Sequence, residues 1–190
     1  MTPTASGARL HCVFQRLQGE ASREGLWLTS TVPDQPHDHF CVMAAVVGRW
    51  GAEDRTSRIQ HRIFNIRLKA AGSVRSDGQT VWFSRPRLVE EYSVSMGGVR
   101  QDFIVSERPG GVGQLCVALA VTGASVEPRA DGARLVLTQY GRKIAYSRLK
   151  VTDANGKQLP ARIEVASNSA LRTCHGHSGA GRGRDLPRAH

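Results

Sequence analysis

The feature that most constrains this chain is a repeated grammar. Short arms of alternating apolar and polar residues are joined by glycine-bearing pairs. The clearest case is EYSVSMGGVRQDFIV (91–105). Gly97-Gly98 suits a type I′ turn, which needs positive φ at both central positions. A turn there pairs Met96 with Val99, Val94 with Gln101 and Tyr92 with Phe103, all on one face. Glu91, Ser93 and Ser95 then share the other face with Arg100, Asp102 and Ile104. One mostly apolar face against one mostly polar face describes a half-buried antiparallel hairpin.

The grammar recurs along the chain. VRSDGQTVWF (74–83) centres on Asp77-Gly78, a second two-residue hairpin signal. LKVTDANGKQLPARIEV (149–165) centres on Asn155-Gly156, and Pro160 marks its second arm as an edge strand or a late entry into one. ADGARLVL (130–137) starts a strand after Asp131-Gly132. GQLCVALAV (113–121) aligns Leu115, Val117, Leu119 and Val121, and GLWLTSTV (25–32) aligns Leu26, Leu28 and Val32. The run FCVMAAVVG (40–48) reads as a buried strand. Roughly ten β-prone segments with turn signals between them predict an all-β fold, an antiparallel sandwich or barrel-like module of several hairpins. RIQHRIFNIRLKAA (58–71) carries both periods, and the reading leans to strand or irregular structure.

Composition sets the limits of this module. The chain has 190 residues, of which 40% are hydrophobic. That suffices for one sizeable core without requiring every residue to join it. Residues 1–9 read as a disordered leader and 10–166 as the all-β module, either whole or as two sub-modules, 10–86 and 87–166. Residues 167–190 read as a disordered Arg/Gly/His tail, because SNSALRTCHGHSGAGRGRDLPRAH lacks periodicity and buries too little apolar surface to offset its ordering entropy. No apolar run reaches the ~18 residues of a membrane-spanning helix. The N-terminus has no apolar segment followed by a cleavage site of the signal-peptide kind.

The net charge is +10, which raises the question of anionic partners. Arginine supplies 22 of the 26 cations, and they are dispersed. Dispersed charge speaks to non-specific association and predicts no specific nucleic-acid site. Cys12, Cys41, Cys116 and Cys174 form no CxxC pair, and Cys41 and Cys116 read as small buried hydrophobes.

Few residues suggest chemistry. Cys174, His175 and His177, joined by His37 and His39 if the tail folds back, are weak metal candidates. Crowded donors without a second spaced pair fail the tetrahedral ligand count, so no metal and no cofactor is expected. Asp34, His37, Asp38 and His39 hold imidazole–carboxylate pairs of the general-base type, but within a proline-bearing loop and without a nucleophile signature. Glu90-Glu91 cannot act together, because neighbours on a strand point to opposite faces. GGVG (110–113) lacks the lysine of a phosphate loop, and SGAGRGR (178–184) is a faint single-strand-binding signal. Trp27, Trp50, Trp82, Phe83, Tyr92 and Phe103 read as packing residues. No catalytic residue is expected.

GVRQDFIV (98–105) and RKIAYSRLKVTDANGKQLPARIEV (142–165) carry a resemblance. With GLWLTSTV and DGQTVWFSRP they make about three quarters of the chain similar to a family region. It resembles the non-propeller region that precedes the repeats in large bacterial surface or secreted proteins with SBBP-type β-propeller repeats. The resemblance implies a non-enzymatic structural or interaction module, a secreted or cell-surface setting, and a downstream repeat domain as partner. It carries over no catalytic or cofactor residue. The chain departs from the family pattern at about 169–171, where another apolar strand is expected, and so reads as a truncated fragment with an out-of-frame tail. The alternative reading is a basic protein that binds nucleic acid or acidic polysaccharide through its arginines.

Overall fold

The computed structural model describes residues 2–5, 7–34, 37–50, 66–111, 113–175 and 188–189, and these contain no helix. The chain opens with β1 (Thr2–Thr4), β2 (Gly7–Cys12), β3 (Leu17–Ser22), β4 (Gly25–Ser30) and the twelve-residue β5 (His39–Trp50). Then come β6 (Ile66–Arg67) and the meander β7 (Ser73–Asp77), β8 (Thr80–Arg85), β9 (Leu88–Ser95) and β10 (Gly98–Val105). Next are β11 (Gln114–Thr122), β12 (Ala124–Arg129), β13 (Gly132–Leu137) and β14 (Lys143–Ser147). The last strands are β15 (Val151–Thr152), β16 (Gln158–Leu159), β17 (Ala161–Ser167), β18 (Ala170–His175) and β19 (Arg188–Ala189).

These strands make three antiparallel sheets. The largest runs β1-β2-β3-β4-β5-β11-β18-β17, with β6 also on β5. The second runs β16-β15-β19-β10-β9-β8-β7, and the third is β12-β13-β14. Alternation decides what faces inward. Leu10 and Ala8 of β2, with Ala21 and Leu26, pack on Val81, Phe83 and Tyr92 of the second sheet. A larger cluster joins Phe40, Val47, Leu119 and Leu171 of the first sheet to Phe103 and Leu88 of the second and Leu135 of the third. The fold is thus an all-β sandwich of hairpins, as the alternation predicts.

Two irregularities shape the interior. The chain turns from β11 into β12 at Gly123, whose φ is 75°. A Cβ there would lie 2.0 Å from the His39 carbonyl oxygen, so only glycine lets the corner close. The second irregularity is a break on β5. One side of β5 pairs with β11 along 41–50, with a register shift between Ala118 and Leu119 that leaves Ala45 out of the ladder. The other side pairs with β4 only at 39–41 and with β6 only at 46–47. Residues 42–45 therefore have no strand neighbour on that side among the described residues.

Several expectations need correction. The hairpin at 91–105 turns at Met96-Gly97, with Ser95 opposite Gly98 and Val94 opposite Val99. Only Gly98 of the pair has positive φ, 126°. The β7–β8 turn is displaced the other way, one residue later than expected, at Gly78-Gln79, because Asp77 pairs with Thr80. The expected pairs shift by two, an even step, so every side chain keeps its face. The proposed sub-module boundary after residue 86 falls in a two-residue turn between directly paired strands, with Arg85 opposite Leu88, so 10–86 and 87–166 are not separate units. Thr2–Thr4 and the start of β2 are strand, not leader. Ala170–His175 is strand, not tail, and lies between β11 and β17 with Leu171 fully buried. The β pattern therefore continues past 169–171, where the sequence reading expected it to break. The tail expectation failed because alternation over six residues was hidden by the Gly-rich composition that follows. Residues 58–65 and His177 lie outside the described residues, while Ile66–Arg67 is strand.

Candidate functional site

The densest set of ionisable groups fills the gap beside β5. Val81, Phe83 and Arg85 alternate inward on β8, and Leu88, Glu90 and Tyr92 do so on β9. Arg85 and Glu90 therefore meet on the inner face across a two-residue turn, and both are buried. The Arg85 guanidinium donates to one Glu90 oxygen and, through Nη1, to the carbonyls of Ala44 at 2.7 Å and Lys69 at 3.2 Å. The Ala44 amide donates to that same Glu90 oxygen at 3.2 Å. The other oxygen accepts from the Tyr92 hydroxyl at 2.8 Å and from Gln101 Nε2 at 2.7 Å. Gln101 Nε2 also donates to the Val42 carbonyl, and its Oε1 accepts from the Tyr146 hydroxyl of β14 at 3.1 Å.

The physical cause is the break in the first sheet. Val42 and Ala44 present backbone groups that a strand would normally pair, and an unpaired buried amide or carbonyl costs about 1–3 kcal/mol. Side chains of the second sheet take the missing strand's place. Glu90 gains four donors, which fill the lone-pair sites of an ionised carboxylate. Burial pushes the Glu90 carboxyl upward, and Arg85 and the hydrogen-bond donors pull it back. Burial also raises the Tyr92 and Tyr146 phenols, with the Glu90 charge as the next cause. The Cys41 thiol is pushed up to about 12, chiefly by burial and then by Glu90. Arg85, Glu90 and Tyr92 are buried, and the cluster ties β5 to the second sheet and, through Gln101 and Tyr146, to β14.

The candidate residues taken from the sequence are dispersed among structural tasks. Asp38 is buried and accepts from the amides of Gln139 at 2.9 Å and Tyr140 at 3.3 Å, fixing the β13–β14 turn. His37 Nδ1 contacts the Ser30 carbonyl at 2.9 Å, and His39 stacks on Trp27 at 4.7 Å while its Nδ1 meets Thr29 Oγ1. Asp34 is exposed with φ 60°. Glu90 and Glu91 do point to opposite faces, and Glu91 accepts from Trp82 Nε1 at 2.7 Å. The aromatics pack as expected, yet arginines cover three of them, Arg75 over Trp82 at 5.2 Å, Arg85 over Phe83 of its own strand at 4.9 Å and Arg172 over Trp50 at 6.0 Å.

Cys174 is not a metal ligand, and Cys116 is not a free thiol. They stand opposite one another on β18 and β11 and form a disulfide with Cα atoms 4.2 Å apart. That separation matches the narrow, non-hydrogen-bonded pair of an antiparallel ladder. Cys12 and Cys41 are the free, buried cysteines. Among the described residues no group of three or more His, Cys, Asp or Glu converges as a metal site would require. A cavity of about 20 Å³ lies among Phe103, Val105, Leu115, Val117, Thr173 and His175. That is room for about one water and no organic ligand.

Sequence reasoning passed over the Arg85–Glu90–Gln101–Tyr146 network, although parity placed Glu90 beside Tyr92 and Val94. A charge of each sign at inward parity on consecutive strands was the available signal. Comparison with known proteins adds no further constraint: no family model, curated protein or solved structure matches the chain.

Proposed function

We propose that this chain is a non-catalytic structural or interaction module of an exported bacterial protein, one that presents or spaces a downstream repeat domain. The observation that carries this reading is the use made of the interior polar groups. Arg85, Glu90, Gln101 and Asp38 bond to backbone or to each other, which suits a scaffold. The Cys116–Cys174 disulfide supports export, since such bonds persist in oxidising compartments. Polymer binding through dispersed arginine gains less support. Arg87, Arg100, Arg129, Arg134 and Arg162 each lie within 3.5 Å of an acidic partner.

Thiol trapping in intact cells, followed by peptide mass spectrometry, tests the export reading. The expected result is a linked Cys116–Cys174 peptide with Cys12 and Cys41 alkylated only after denaturation. Recovery of folded protein with Cys116 and Cys174 both as thiols would sink it.

A further inference from the structure

Among the described residues, the large apolar side chains left most exposed are Val13, Phe14, Met96 and Tyr140, at 77, 73, 76 and 50%. They occupy three turns at one end of the sandwich. Val13 and Phe14 tip the β2–β3 turn, Met96 tips β9–β10, and Tyr140 lies in the β13–β14 turn. The turns touch. Cys12 Sγ contacts the Ser95 carbonyl at 3.8 Å, and Gln15 lies 3.8 Å from where a Cβ on Gly98 would sit. Arg142, in the third turn, donates to the carbonyls of Gln15 and Arg16 and to Ser30 Oγ.

The apolar tips are held in place. The Arg16 amide donates to the Val13 carbonyl at 3.0 Å, and Thr31 donates to the Arg16 carbonyl at 2.9 Å. The presentation of Phe14 is therefore settled during folding, which lowers the ordering cost of docking. The surroundings are cationic. Arg16 is exposed, and the Arg148 guanidinium reaches within 3.4 Å of a Cβ placed on Gly97. Arg16 crowds Arg142 closely enough to help depress its pKa behind the larger effect of burial, while buried Asp38 opposes it. Asp34 is an exposed acid of the adjoining 31–34 stretch.

We propose that this end of the sandwich docks on an anionic lipid surface, with Val13, Phe14 and Met96 entering the headgroup–acyl boundary and Arg16 and Arg148 meeting lipid phosphates. Convex tips favour this partner, because a fluid bilayer closes around separate projections that a rigid protein would have to match with separate pockets. Apolar burial and electrostatic attraction add at such an interface. The docking is peripheral, and it stands apart from the exported-module reading, since it rests on loop geometry and charge.

Flotation of the full chain with vesicles tests it. Vesicles of equal parts phosphatidylglycerol and phosphatidylcholine are expected to carry the protein upward, and pure phosphatidylcholine to carry far less. The double variant Phe14→Ser, Met96→Ser should bind about tenfold more weakly or worse. Arg16→Glu should cost on the order of fivefold. Unchanged thermal unfolding of both variants shows that folding is intact. The proposal is overturned if the wild-type chain stays in the dense fraction with anionic vesicles, or if the double variant floats as well as the wild type. Sedimentation showing a dimer that the double variant abolishes, with no vesicle binding, would assign the tips to a second copy of the chain instead.

Discussion

The interior beside β5 and the end formed by the β2–β3, β9–β10 and β13–β14 turns invert the usual rule. The interior holds a carboxylate and a guanidinium, both almost wholly buried, and the end exposes Val13, Phe14 and Met96. The difference lies in partners. Each Glu90 oxygen meets two donors, one of them the Ala44 amide of β5, and two of the other donors, Arg85 and Gln101, also bond to β5 carbonyls. The apolar tips meet nothing comparable within the described chain. Inward charge here closes a gap in a sheet, and outward apolar surface is what remains for something outside the chain.

Removing the carboxylate breaks the comparison most severely. Glu90→Ala leaves Arg85 buried without its counter-charge and strands the Ala44 amide and the Tyr92 hydroxyl. The expected loss is about 3–5 kcal/mol in denaturant unfolding, as for other broken buried pairs. Arg85→Met with Glu90→Leu should recover part of that loss, but not all, because the amide and the carbonyl of Ala44 still lose their side-chain partners. If Glu90→Ala unfolds with the wild-type midpoint, the network does not substitute for a strand.

The disulfide comes next in size. Cys116 and Cys174 are separated by 58 residues in sequence. Closing a loop of that order stabilises by roughly 2–4 kcal/mol. Cys116→Ala with Cys174→Ala should lower stability by this amount while leaving the β-sheet circular dichroism intact. A wild-type melting curve that does not move under reductant would show that the ladder alone holds β18.

How much was legible follows from which signal each element carried. Inward parity is robust: Tyr92, Phe103, Leu115, Val117 and Leu119 are buried as alternation requires. Turn placement failed by one residue at both Gly97-Gly98 and Asp77-Gly78: Gly98, with positive φ, starts a strand where it was read as a turn residue, and Asp77 ends a strand where it was read as one. Sheet membership was not legible. Hairpins specify neighbours along the chain, whereas β11 joins β5 and β18 by long-range pairing that no local pattern announces. The Cys116–Cys174 bond was hidden for the same reason, since four cysteines allow three pairings before strand order is known. The network was hidden by reading Glu90-Glu91 as a pair and not asking which of the two faced inward.

Smaller changes sharpen the picture at the margin of the network. Tyr146→Phe deletes one hydroxyl bond to Gln101 and should cost about 1 kcal/mol by denaturant titration. Cys41 offers a pH test. Its thiol is raised from 9.0 to about 12 in the folded chain. The associated stability is whole below pH 9 and is lost as pH climbs through the folded value. Native protein at pH 9 should therefore resist alkylation at Cys41, and urea-unfolded protein should label. Equal labelling rates in the two states would mean that β5 opens readily.

The smallest expected effect lies at the exposed end. Phe14→Ser removes a ring that is 73% exposed, so little burial is lost, and surface changes of this kind fall within about ±0.5 kcal/mol. A side chain that can be deleted without touching stability was not selected for folding. Differential scanning calorimetry measures this directly. A drop in Tm as large as that of Tyr146→Phe would mean that Phe14 packs against the chain itself. The contrast between a buried charge that holds the fold and an exposed ring that does not would then fail at its weaker end.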